Sequence, residues 1–105
     1  MITKYEQFCF ICGKPADAGV HHLIFGKGLH ALADADNLTA PICNTCHVLG
    51  KYRLHDNPVS EKLSKIIGQL EWEKQYLLKE GNFPYKNMDD RAREAFRKRY
   101  SRSYL

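Results

Sequence analysis

No stretch of this 105-residue chain is apolar over the length needed to cross a bilayer. Its start lacks the charged lead, apolar run and small-residue cleavage site of a secretory leader. These absences argue against a membrane protein and an exported precursor. There is also no internal repeat and no low-complexity stretch. Disorder throughout is excluded by a hydrophobic fraction of 44%. The length leaves room for one domain, or one small domain with a helical tail. A purely hydrophobic core in so short a chain is modest, so a covalent or metal staple is expected.

The cysteines supply a candidate staple. They form two pairs, Cys9-x2-Cys12 and Cys43-x2-Cys46, with thirty residues between the pairs. Two intervening residues let both thiolates of a pair turn toward one ion, and four soft ligands suit tetrahedral zinc. The long separation leaves room for an inserted element between the halves of the site. Two disulfides would need an oxidising compartment, which nothing here signals. A redox pair would need one C-x-x-C in a thioredoxin-like setting, and none is visible. An iron–sulfur cluster also takes four cysteines, and spacing does not separate it from zinc.

Along the chain, Phe8-Cys9-Phe10-Ile11-Cys12-Gly13-Lys14-Pro15 reads as a zinc knuckle in which Gly13 supplies a positive φ. Residues 20–25 predict a strand that Gly26-Lys27-Gly28 breaks. A loop or short helical turn over 29–37 leads to a second strand at 38–42, with Pro41 at its end or at an edge. Cys43 to His47 should open a helix ending near Gly50. Leu63, Ile66, Ile67, Leu70, Leu77 and Leu78 follow a helical period, predicting a helix over 60–80 with Ser60 as N-cap and Gly81 as stop. Trp72 and Tyr76 lie one turn apart and are expected to pack on the cysteine-bearing part. After the breaker Asn82-Phe83-Pro84, a last helix is predicted from Asp89, its cap, to about Tyr100, with an apolar stripe of Ala92, Ala95, Phe96 and Tyr100.

All five histidines fall between positions 21 and 55. Adjacent residues of a strand face opposite ways, so His21 and His22 divide their roles. One imidazole holding a divalent ion and a neighbour free to take a proton from water is a pattern suited to phosphodiester hydrolysis. Asn37 is a candidate to orient the base. His30 has no motif neighbour and reads as structural or exposed. The net charge of +4 arises in the last fifteen residues, where Arg91, Arg93, Arg97, Lys98, Arg99 and Arg102 face one acid, Glu94. Such a cluster suits phosphate contacts, although a solvated helix face needs no partner.

The string Cys9-x2-Cys12, His21-His22-Leu23, Asp36-Asn37-Leu38, Cys43-x2-Cys46-His47 resembles the HNH (ββα-metal) endonucleases. With His55-Asp56-Asn57 it is most similar to their phage RecA-dependent nuclease (recombination-enhancement) type, over residues 9–57. The resemblance implies an α+β fold: a small ββα-metal, treble-clef-like zinc domain over 1–58, and a helical extension with a basic tail over 59–105. It implies His22 as general base, supported by Asn37. His21, His47 and His55 would hold a catalytic divalent metal, and the four cysteines a structural zinc. His21 stands where many members have Asp, and Lys51 stands where some have a further ligand.

By ligand type the catalytic ion is zinc, nickel, manganese or cobalt, with magnesium also open. DNA is the implied partner, held by Lys27, Arg53 and the basic tail. The closer resemblance adds a recombinase filament and a phage or prophage source, acting in the cytoplasm of a bacterial host as monomer or homodimer. A non-catalytic zinc module that binds nucleic acid is the alternative, and the residue that separates the two is His22.

Overall fold

The computed structural model describes residues 1–80 and 88–105. It is a small mixed α/β fold with a two-stranded antiparallel sheet. The predicted stop at Gly81 and breaker Asn82-Phe83-Pro84 lie outside the described residues, as does the side chain of the proposed cap Asp89.

Strand β1 (Gly19–His22) pairs with β2 (Thr39–Ile42) in a register that sets His21 against Ala40 and His22 against Thr39. β1 is shorter than its β-branched run suggests. Leu23 keeps one bond, its N–H to Leu38 O at 2.9 Å, before it and Ile24 become fully buried and Gly26 turns the chain at φ 129°. The free edge of β2 accepts bonds from the N-terminal segment, Ile2 N–H to Thr39 O at 2.8 Å and Phe10 N–H to Pro41 O at 2.9 Å. Pro41 thus sits inside the strand, and the N–H it lacks would have faced this outer edge.

Helix α1 (Leu29–Ala35) bridges the strands. It ends at Asn37, whose φ of 59° is one that Asn tolerates better than most residues. After β2 the chain makes a short wide-turned helix, Thr45–Leu49, closed by Gly50 N–H donating to Thr45 O at 2.7 Å. The following residues fold back on it through Leu54 N–H to Cys46 O and His55 N–H to His47 O.

Helix α2 (Pro58–Glu80) starts earlier than predicted. Its cap is Asn57, not Ser60: the Asn57 Oδ1 accepts from the N–H groups of Val59 and Ser60, both at 3.1 Å. Pro58 takes the first helical position, where no N–H is needed. The Ser60 hydroxyl instead donates to Tyr52 O. The apolar period that located α2 does not define its inner face. Leu63, Ile67, Leu70 and Leu78 are exposed, whereas Ser64, Gln69 and Glu73 are buried. Gly68 lets the helix approach closely, since a Cβ there would lie 2.8 Å from Ile24 Cγ1.

Helix α3 (Met88–Tyr100) packs on α2 and buries Ala92, Phe96 and Tyr100. One cluster joins Ile24, Ala33 and Leu38 to Phe96, Tyr100 and Tyr104, with Ile66 and Trp72 against it. Residues on both sides of position 58 therefore share a core. A buried polar knot secures the end of the chain. Gln69 Nε2 donates to Glu73 and to the Ser103 hydroxyl, Gln69 Oε1 accepts from Tyr104 N–H, and Arg93 pairs with Glu73.

Candidate metal centres and catalytic cavity

The knuckle and the segment after β2 bring the four cysteines together. The sulfurs of Cys9, Cys12, Cys43 and Cys46 all lie within 4.8 Å of one another. Four sulfurs at about 2.3 Å from one tetrahedral zinc are about 3.8 Å apart, so the cluster fits such an ion. No disulfide is present, and Cys12 Sγ stands 3.6 Å from Cys43 Sγ. Gly13, at φ 78°, turns the knuckle as its sequence requires. Burial raises the Cys9 thiol, but N–H groups of Cys12, Ile11 and Cys43 outweigh it and hold the pKa at about 6. Burial pushes Cys46 the other way, as does hydrogen bonding with Cys43, Cys12 and Cys9. Cys9 is thus held low and Cys46 held high before any ion binds. A bound cation would favour the thiolate form of each.

A second group joins three histidines, one of them in β1. The ring nitrogens of His21, His47 and His55 fall within 4.8 Å of one another. Nε2 of His47 and Nε2 of His55 are 3.0 Å apart, brought together by the fold-back after Gly50. His21 is 1% exposed. Its Nε2 is 2.9 Å from the Ser64 hydroxyl, and that hydroxyl donates its proton to Leu23 O at 2.8 Å. Having spent its proton, Ser64 accepts from His21, so Nε2 carries the hydrogen and Nδ1 keeps a lone pair. Such outer hydrogen bonds fix the tautomer of metal-holding histidines. Burial, and then His47, His55, His22 and His30, push the pKa of His21 down to about 3. Burial and His55 also lower His47. Three converging imidazoles suit a divalent transition metal.

His22, next in the strand, turns elsewhere. Its Nε2 lies 3.2 Å from Asp34 Oδ1, and its ring lies against His30 with centroids 3.5 Å apart. A carboxylate accepts, so His22 Nε2 donates and Nδ1 is left as the basic atom. A cavity of about 160 Å³ is lined by Val20, Phe25 and all five histidines of the chain. His30 is exposed, as one branch of the expectation had it, and it is also one of the cavity walls.

Asn37, expected to orient the base, lies elsewhere. It lines a different cavity beside Trp72 and Tyr76, and the carboxylate that reaches His22 belongs to Asp34. The reason is local: α1 continues to Ala35, placing Asp34 one turn after His30, whereas Asn37 serves the left-handed turn into β2. The spacing of His30 and Asp34 was the available signal for both. Ser64 had none, because it reaches His21 from 43 residues away.

The expected phosphate contacts divide. Arg93 is paired with Glu73, and Arg99 grips Asp36 through two bonds of 2.6 and 2.7 Å. Arg102 lies over the Tyr104 ring, and Arg53 donates to Gly50 O. Arg91, Arg97, Lys98 and Lys27 are exposed and have no side-chain partner among the described residues. No helix among the described residues is long and apolar enough to cross a membrane.

A family model described as protein of unknown function (DUF968) matches residues 3–82. No curated protein and no solved structure matches the chain. With most of its length matched, the chain belongs to that family.

Proposed function

We propose that this DUF968 protein is a metal-dependent DNA endonuclease of the HNH (ββα-metal) kind. One observation carries the reading: all five histidines line one cavity, three converging as ligands and a fourth held against a carboxylate. The four cysteines form a separate cluster suited to structural zinc. Two antiparallel strands followed by a short helix that carries His47 support the reading of a treble-clef-like domain that the resemblance implies.

His21, His47 and His55 would hold a divalent cation, which supplies charge neutralisation at the scissile phosphate and its leaving oxygen. His22 takes the proton from water through Nδ1. Asp34 accepts from His22 Nε2–H, which orients the ring and leaves Nδ1 as the atom that takes the proton. Ser64 holds His21 in the tautomer that offers Nδ1. Lys27, Arg91, Arg97 and Lys98 are the exposed cations for flanking phosphates, contacts that position DNA without reading its sequence. A recombinase filament on that DNA, and a phage source, belong to the same reading.

Plasmid nicking across a panel of divalent ions tests it, with the metal content of the purified protein measured in parallel. The expected result is nicking by the wild type and a loss of about 10²-fold or more in His22→Ala. Zinc content and fold should stay unchanged in that variant. Undiminished nicking by His22→Ala overturns the assignment of the base. No nicking with any ion favours the non-catalytic zinc module.

A further inference from the structure

We propose that the cavity between the end of α1 and the outer half of α2 receives one unpaired nucleobase of single-stranded DNA. The proposal rests on the nuclease reading and deepens it by naming the form of the substrate. The cavity holds about 460 Å³, in the range of sites for small organic groups. It is lined by Asn37, Trp72, Gln75, Tyr76 and Lys79, with Ala35 and the Asp36–Arg99 pair.

Its aromatic wall is built before any ligand arrives. Trp72 and Tyr76 are stacked at 5.5 Å with planes 16° apart, and Trp72 is wedged edge-on against Phe96 at 5.6 Å. A ring fixed this way loses little freedom when a base joins the stack, and every base has a face to offer. Polar atoms stand beside it. The Asn37 side chain is exposed and has no partner among the described residues. Gln75 spends an amide hydrogen on Glu71, which leaves its carbonyl oxygen to accept. Two amides can therefore meet the donors and acceptors on a base edge.

The electrostatics favour a phosphate nearby. Asp36 is the lining carboxylate, and it is neutralised by both bonds from Arg99 and by the Tyr100 hydroxyl at 2.6 Å. Lys79 remains as a cation at the rim. The location also fits. Asn37 N–H donates to Asp34 O, three residues from the carboxylate that holds His22. Asp34 of α1 thus touches a wall residue of the histidine cavity, and the next three residues, Ala35 to Asn37, line this one. A base in a duplex is stacked on both faces and cannot enter, so the occupant is unpaired or flipped out.

Trp72 is the only tryptophan of the chain, so its emission reports on this cavity. The experiment titrates the zinc-loaded full chain, without added catalytic metal, with a twelve-nucleotide oligothymidylate, an oligouridylate and a duplex of equal length. Binding is followed by tryptophan quenching and by anisotropy of labelled DNA. Oligothymidylate should quench and the duplex should not. Tyr76→Ala should weaken binding about tenfold or more, and Tyr76→Phe should bind like the wild type. Quenching by oligouridylate as well supports a pocket that takes the base whatever the sugar. Binding without quenching, equal quenching by duplex, unaltered affinity in a folded Tyr76→Ala, or no binding at all overturns the proposal. Nicking by the wild type without quenching sinks the base pocket alone. Quenching without hydrolysis under any divalent ion sinks the nuclease reading alone.

Discussion

The sulfur cluster takes Cys43 from just after β2 and the imidazole cavity takes His21 and His22 from β1, and the two are assembled differently. The cysteines come from two tight local turns, each closing within four residues. The histidine group needs β1, α1, the fold-back after Gly50 and a serine from α2. One centre is built by local geometry and shapes the chain around it. The other is a product of the finished fold. The contrast teaches that the two should fail in different ways.

The largest effect is expected at the sulfurs. Cys43→Ser, or removal of the ion by a strong chelator, should unfold the chain, since structural zinc contributes on the order of 10 kcal/mol in small domains. Circular dichroism with metal analysis checks this, and a folded, zinc-free protein would break the comparison. His21→Gln, by contrast, should leave the cysteine-bound ion in place.

Acid separates the two centres next. His21 in the folded chain titrates near 3, whereas an unfolded histidine titrates near about 6.5. Above the higher value both forms are neutral and His21 adds no pH dependence. Below it the unfolded chain binds a proton that the folded chain refuses. With the histidine site free of metal, His21 should therefore lower stability by up to about 1.4 kcal/mol per pH unit as pH falls toward 3. Denaturant melts at pH 7, 6 and 5 read this slope, and His21→Gln should flatten it.

Gly68→Ala sharpens the contrast from a distance. The added methyl would meet the fully buried Ile24 and push α2 outward, at a cost of about 1–3 kcal/mol. The Ser64–His21 bond should loosen, so nitrogen shifts of His21 should show mixed tautomers while the thiol centre keeps its zinc. The smallest effect concerns surface charge. Arg97→Ala and Lys98→Ala should each reduce the slope of log affinity against log salt by about 0.9 if they neutralise duplex phosphates. Unchanged slopes in both would remove α3 from the DNA contact.

What was legible in the sequence follows the same division. The C-x2-C spacing and Gly13 announced the sulfur cluster because its geometry is local. The β-branched and apolar periods located both strands and both long helices. The periodicity misled on which side of α2 is buried, because Ser64, Gly68 and Gln69 are small or satisfied enough to lie inside while Leu63 and Ile67 stay outside. The sequence points to Ser60 as the cap of α2, whereas Asn57 caps it and Pro58 takes the first helical position. The grouping of His21, His47 and His55 is implied by the family resemblance, and the structure brings the three rings together. The pairing of His22 with Asp34 required knowing where α1 ends, and that is fixed by the left-handed turn at Asn37.

The bond from Ser64 to His21 bears on any attempt to dissect the chain. A cut after Asn57 separates two stretches that look self-sufficient on paper, one with every cysteine and histidine, the other with the long helices. The first stretch would keep its sulfur cage but lose the hydroxyl that dictates which nitrogen of His21 is bare. Transplanted alone into another scaffold, the histidine cassette would carry all its ligands and still present one of them the wrong way round.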